Sequence, residues 1–360
     1  MIKVGIIGLG EVAQLMHLPI LGDMHDKFEI RAIADISPSL NSFIAEKYNA
    51  PKSYLSPISL IKDPEVEAVF VLSPDQYHYD HIVEAIHQCK HVFVEKPVAL
   101  NIEQLEALIE LEAKYPDQIV MVGYMRRFAG SFLKAKELME KSHKKTEYIR
   151  FRDIICEGPF FIGQTRSVFL PKDIPGELIT ESGVKLRTQI NVAIGADVTT
   201  EQITAYQKLT GLGCHSFSAV RELFGMPNNL KAVVPSQGGE HLVVVLEYDG
   251  FIGTYELVNN QDIVQFDAAI EIYQKNRKLK INYETPYVRH QASTLEVTES
   301  SENETQTSLY GPDYNDAFAT ELHEFHNCVT RNSKPKTTLA DSLDDLKLFK
   351  NIIGCMGRGA

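Results

Sequence analysis

Residues 2–13 read IKVGIIGLGEVA, and this stretch decides the fold class. An apolar run broken only by Lys3 and Gly5 suits a buried strand. Gly8-Leu9-Gly10-Glu11-Val12-Ala13 follows at once and opens a helix. Gly8 permits the tight turn, and Gly10 lets the backbone approach a pyrophosphate. Ala13, in the third glycine position of the G-x-G-x-x-G pattern, is small enough for helix–strand packing. A helix N-terminus offers N–H groups and the positive end of its dipole to phosphate. Gly8, Leu9, Gly10, Glu11 and Val12 are therefore candidates for a dinucleotide cradle; the alternative is a tight βα turn with no ligand.

Working outward, short apolar strands alternate with helical stretches: FEIRAIAD (28–35), VEAVFVLSP (66–74), HVFVEKP (91–97) and QIVMVGY (118–124). Amphipathic segments at 79–90 and 101–115 separate the later ones, with Asn101 as an N-cap. Continuous apolar strands divided by helices predict a parallel sheet covered on both faces. Beyond a boundary near 122–125 the pattern changes. EYIRFRDIICEG (147–158) alternates, 165–208 is polar and helix-prone, and 230–284 reads as consecutive antiparallel strands. TESSENETQTS (298–308) is a polar loop or hairpin tip, and two helices end the chain. The expected fold is α/β: a Rossmann, doubly wound parallel sheet (1–122), then an α+β domain with a large, mostly antiparallel sheet (123–360).

The chain has 360 residues, 44% of them hydrophobic, enough for two cores. A net charge of −12 argues against nucleic acid as a partner. The 5 cysteines are scattered without a CxxC pair, which points to free thiols in a reducing compartment. No signal peptide or membrane-spanning stretch is visible, so a cytoplasmic protein is expected. Residues His78, His81 and His87 lack acid ligands at convincing spacing, and no metal site is expected. No GxSxG, HExxH or P-loop occurs.

Asp35 ends the second strand, where an acid accepts from ribose hydroxyls and repels a 2′-phosphate. NAD is therefore expected rather than NADP. Ser73, Pro74 and His78 follow the third strand, at the strand ends where ligands of such sheets sit. Lys96 stands between Glu95 and Pro97 at the end of a core strand. A lysine there either snorkels to solvent or serves a ligand.

Taken in order, GLGEVA, Asp35, SPDQYH, EKP and GYMRRF (123–128) resemble the glucose–fructose oxidoreductase / inositol dehydrogenase / MocA (Gfo/Idh/MocA) family. The likeness is close over the first 130 residues and returns at GLGCHSFSAVRELFG (211–225) and the C-terminal LADSLDDLKLF. It implies a dehydrogenase acting on a CH–OH carbon of a sugar, polyol or related compound, with hydride passed to or from NAD. Lys96 matches the lysine at the reacting carbon, and Pro97 a proline whose peptide bond is typically cis. Glu95 matches the acid near the nicotinamide ribose, and Arg127 an arginine at the cofactor–substrate boundary. His215 matches the second-domain acid–base histidine.

One departure stands out. Dehydrogenases of the family often carry Asp four residues before this histidine, where this chain has Gly211. Asp153, Glu157 and Glu181 are candidates to replace it. The alternatives are a catalytically silent NAD(H)-binding sensor, or a redox-neutral enzyme with tightly held NAD. Substrate candidates are Tyr124, Gln164, Arg166, Arg289 and His290, Arg289 being suited to a carboxylate. A homo-oligomer through the C-terminal sheet is expected.

Overall fold

The computed structural model describes residues 1–357 apart from 143, 157, 166, 167 and 263. It contains two compact units. The first comprises Met1–Gly123, Arg166–Ala196 and Glu321–Leu346; the second comprises Tyr124–Thr165, Asp197–Thr320 and Lys347–Ala360.

The first unit is built on six strands: β1 (Ile2–Ile7), β2 (Phe28–Ala34), β3 (Lys52–Tyr54), β4 (Ala68–Val71), β5 (His91–Glu95) and β6 (Val120–Gly123). Their order is β3-β2-β1-β4-β5-β6, every pair parallel. The strand order reverses between β1 and β4, which is where ligands of doubly wound sheets bind. The apolar strand residues are sealed: Val4, Ile6, Ile7, Val69, Phe70 and Phe93 have no exposed surface. That accounts for their unbroken hydrophobic runs. Residues 321–346 bring Phe325 against Phe28, Phe70 and Phe93. The three-residue β3 was not visible in the sequence, because KSY lacks an apolar run; edge pairing with β2 makes it a strand.

The second unit is built on eight strands: β7 (Thr146–Ile155), β8 (Asn229–Ser236), β9 (His241–Tyr248), β10 (Phe251–Asn259), β11 (Phe266–Gln274), β12 (Arg277–Tyr283), β13 (Ser293–Ser300) and β14 (Thr305–Asp313). Their order is β14-β13-β12-β11-β7-β10-β9-β8. One expectation needs correcting. The strands of 230–284 do not pair consecutively throughout, because β7 lies between β10 and β11, parallel to the first and antiparallel to the second. Alternation identifies a half-buried strand but carries no information about its neighbour. The polar stretch at 298–308 is the end of a hairpin, the paired ends of β13 and β14 joined by a tip at 301–304.

Leu242, Val244, Leu246, Tyr255 and Leu257 line the inner face, against the helix Cys214–Phe224. There Phe217 packs on Phe151 and Tyr255 at centroid distances of 5.1 and 4.6 Å. The other face carries a charge ladder: Arg150–Glu256, Arg152–Asp267, Arg152–Glu271 and Lys278–Glu271.

Candidate functional site

In the first unit, Gly8 has φ +86°, and a Cβ there would lie 2.6 Å from the Leu72 carbonyl oxygen. Only glycine fits. A Cβ on Gly10 would meet nothing within 4 Å, so the turn is open on that side. The Asp35 carboxylate accepts the Leu9 N–H at one oxygen and the Ser37 N–H at the other, each at 3.0 Å. It thus holds the turns after β1 and β2 together. A glycine turn open to a ligand and an acid fixed at the next strand end fit a dinucleotide's pyrophosphate and ribose. Glu11 is half-buried, and Val12 is exposed on the opening helix.

That helix widens into a π turn over Ala13–His17. Such turns recur at functional sites, and here the segment ends in a fully buried histidine. His17 Nε2–H donates to Glu95 Oε1 at 2.8 Å. Burial pushes the Glu95 carboxyl up, but the bond from His17 and the neighbouring charges hold it below the usual carboxylate range. Gly123, opposite Glu95 in the β5–β6 register, makes room: a Cβ there would come within 3.3 Å of the carboxyl. Lys96 follows, half-buried, and its peptide bond to Pro97 is cis.

Ser73 and Pro74 follow β4. His78 is buried, with Nδ1 2.8 Å from the Pro97 carbonyl and Nε2 2.6 Å from the Ser73 carbonyl. The ring lies within hydrogen-bond distance of both carbonyls, the donating nitrogen being set by its tautomer. The ring therefore ties the ends of β4 and β5 together through their backbones. The neighbouring His81 pairs with Ser73 Oγ at 2.9 Å. Burial, then the charge of His78, push the His81 imidazole down to about 4.

In the second unit, a 3₁₀ turn over Met125–Phe128 buries Arg126 and Arg127 just after Tyr124. Arg126 Nη1 donates to Asp153 Oδ1 and to Ser216 Oγ, both at 2.6 Å. Tyr255 donates to the second Asp153 oxygen at 3.0 Å. Burial, then the Asp153 carboxylate, raise the Tyr255 phenol well above its ordinary value. The Tyr283 ring lies under the Arg126 guanidinium at 4.9 Å, a cation–π contact. Arg127 Nε donates to Glu222 at 2.6 Å, and Lys136 to the other Glu222 oxygen at 2.8 Å.

His215 is half-buried at the start of the helix Cys214–Phe224, directly after a second π turn, Leu209–Gly213. Gly211 lies in that turn, and a Cβ on it would meet open space. Asp153 is fully buried with both oxygens engaged by Arg126 and Tyr255. Glu181 is exposed in the first unit, on the helix Gly176–Ile194. Glu157 and Arg166 lie outside the described residues. Gln164 is exposed. Arg289 faces Asp316, with Nε 3.6 Å from Oδ2, and His290 is exposed at φ +65°. Among the described residues no group of three or more His, Cys, Asp or Glu could hold a metal.

A parallel sheet with a glycine cradle and an acid after its second strand defines a dinucleotide-binding Rossmann domain. Residues 2–124 match the family profile "Oxidoreductase family, NAD-binding Rossmann fold" of the Gfo/Idh/MocA proteins. The chain is similar to myo-inositol 2-dehydrogenase of Thermotoga maritima, 37% identical over 138 residues. That alignment covers 38% of this chain and 40% of the relative's own length. Over 97% of the chain, the fold is that of myo-inositol 2-dehydrogenase from Lactobacillus plantarum, covering 95% of that structure (TM-score 0.71, 19% identity). A protein named as NADPH-dependent oxidoreductase from Desulfitobacterium hafniense shares it too: TM-score 0.77, 16% identity, 98% of this chain and 95% of that one.

Sequence reading passed over His17, Arg126 and Glu222. His17 carried a usable signal, a histidine inside the apolar run Leu15–Leu21. The others are partners made by tertiary packing.

Proposed function

We propose that this chain is an NAD-dependent oxidoreductase acting on a hydroxyl-bearing carbon of a sugar alcohol, sugar or related polyol. The observation that carries the reading is one sheet edge. The carboxyl ends of β1, β2 and β5 bear, in that order, the open Gly8–Gly10 turn, the fixed Asp35 and the half-buried Lys96. Backbone N–H groups of the turn beyond Leu9 would hold the pyrophosphate, and the remaining lone pairs of Asp35 the adenosine ribose hydroxyls. Bound NAD would supply the hydride acceptor. The Lys96 ammonium would hydrogen-bond the substrate hydroxyl and stabilise the alkoxide as its proton passes to a base such as a neutral imidazole. Glu95, held below the usual carboxylate range with His17 as its partner, would place a negative charge beside Lys96. His215 is the second candidate for handling the proton, with Ser216 and Arg126 positioning its helix. Tyr124, Arg127, Arg289 and His290 remain candidate contacts for the substrate or cofactor. The inositol dehydrogenases among its relatives support a polyol substrate.

Gly211 favours a second reading, in which NAD stays bound and the outcome is redox-neutral, or catalysis is lost. The charged outer face of the eight-stranded sheet, with Val234, Val243 and Ile252 exposed, supports a homo-oligomer. No helix among the described residues is long and apolar enough to cross a membrane.

The test is absorbance of reduced nicotinamide with NAD and pooled polyols, sugars and sugar acids, with Lys96→Ala as control. A rise in the native protein alone supports the dehydrogenase. No rise, with NADH binding intact, sinks it in favour of the second reading.

A further inference from the structure

Residues 168–194 belong to the first unit although they lie far from its strands in sequence. They are anchored along the carboxyl ends of β1, β2 and β4. Gln14, on the helix after the glycine turn, pairs with the backbone of Phe169: its amide donates to the carbonyl at 3.1 Å and accepts the N–H at 2.9 Å. The Phe169 ring stacks on Phe43 at 4.9 Å. Gln76 and Lys185–Asp80 fix the following helix beside the end of β4. Between these anchors, Asp173 reaches the start of the helix Pro38–Tyr48. One carboxylate oxygen accepts the Ser37 hydroxyl at 2.5 Å, and the other the Ser39 N–H at 2.8 Å.

Ser37 therefore joins two acids, giving its N–H to Asp35 and its hydroxyl to Asp173. This helix start, right after β2, is where a 2′-phosphate on the adenosine ribose would seek N–H and O–H donors and positive dipole. Here those donors already serve a carboxylate of the same chain. The bonds from Ser37 and then Ser39 hold Asp173 below the usual carboxylate range, so it is an anion at neutral pH.

We propose that Asp173 is a specificity residue for the cofactor: seated on the helix start beside Asp35, it excludes the 2′-phosphate and restricts the site to NAD. The proposal rests on the dinucleotide reading of the first unit. The same fold accommodates a protein named for NADPH, so the choice is made locally. Asp35 alone would repel a phosphate; Asp173 also removes the donors a phosphate needs.

The experiment is titration of the full chain with NADH and NADPH, followed by nicotinamide fluorescence, for native protein, Asp173→Asn, Asp173→Ala and Asp35→Asn. Calorimetry with 2′,5′-ADP and 5′-AMP serves as a second readout. The native protein is expected to bind NADH at least about 100-fold more tightly than NADPH, the order that like-charge juxtaposition gives. Both Asp173 variants should tighten NADPH by about tenfold or more and leave NADH within about threefold, a charge-based gain of the size one site charge carries. Added salt should narrow the native preference, because screening acts on charge repulsion. Asp173→Asn keeps an acceptor for the Ser39 N–H, so a folded variant is available even if Asp173→Ala unfolds. Unchanged NADPH affinity in folded Asp173→Asn overturns the proposal, as does equal binding of both nucleotides by native protein. Binding of neither nucleotide would instead overturn the dinucleotide reading, and the proposal with it.

Discussion

His17 and Glu95, 78 residues apart in sequence, meet at 2.8 Å beneath the Glu95-Lys96-Pro97 turn. The histidine comes from the helix after the glycine turn, so one hydrogen bond couples the candidate cradle to the candidate catalytic strand end. His17 has no exposed surface and packs on Phe93 at 5.3 Å.

Replacing His17 with alanine leaves a buried carboxylate without that donor and opens a cavity. We expect about 2–4 kcal/mol of lost stability, from the unsatisfied charge and the missing ring together. Glu95→Gln retains an acceptor and should cost only about 1 kcal/mol. Urea unfolding of both variants checks the ordering. A His17→Ala protein as stable as the native one would mean that the bond contributes nothing.

Lys96 separates chemistry from binding. Lys96→Ala should lower turnover by about 10²–10³-fold, the range lost with an acid–base or alkoxide-stabilising group. NADH affinity should stay within a few-fold, because the cradle lies at β1 and β2. Stopped assays and fluorescence titration distinguish the two. A collapse of NADH binding with normal turnover of bound nucleotide would contradict this role.

Much of the first unit was legible because its signals are local. IKVGIIGLGEVA encodes its own strand, turn and helix, and Asn101 caps its helix by accepting the Gln104 N–H at 2.9 Å. Glu95-Lys96-Pro97 announced itself as a charged pair at the end of an apolar strand. What stayed hidden depends on neighbours distant in sequence. The position of β7 between β10 and β11 is a choice of partner that period-2 alternation does not express. Asp173 sits in an insert whose named candidates were Gln164 and Arg166, and its meaning comes from Ser37, 136 residues away. Asp153 was a candidate to replace the missing acid at Gly211. Nothing in RDIICEG indicated that Arg126 and Tyr255 occupy both its oxygens.

That Arg126–Asp153 pair gives the third prediction. Both residues are buried, and breaking one partner of a buried pair costs about 3–5 kcal/mol. Asp153→Asn should show that loss in chemical unfolding. Ser216→Ala removes only the bond to the helix that carries His215, and should cost about 1 kcal/mol. If the network positions His215, Ser216→Ala will also shift the pH–rate profile and lower kcat more than it raises KM. An unchanged profile would reduce Arg126 to a purely structural role.

The last prediction concerns acid. Glu271 is buried on the charged face of the second unit. Burial pushes its carboxyl up, but Lys278, Arg152 and Tyr273 more than offset this and bring it down to about 2. A carboxyl lowered on folding stabilises the protein fully above its unfolded value of 4.5, and the contribution is lost as pH falls through the folded value. From pH 5 to pH 2 this group should therefore account for about 3 kcal/mol of lost stability, at 1.36 kcal/mol per unit. Glu271→Gln should start less stable at pH 7 and lose less on acidification, so the two stability curves converge near pH 2. Urea midpoints measured at half-unit steps between pH 7 and 2 give both curves. Parallel curves would show that Lys278 and Arg152 find equivalent partners without Glu271, and that the ladder on this face is replaceable pair by pair.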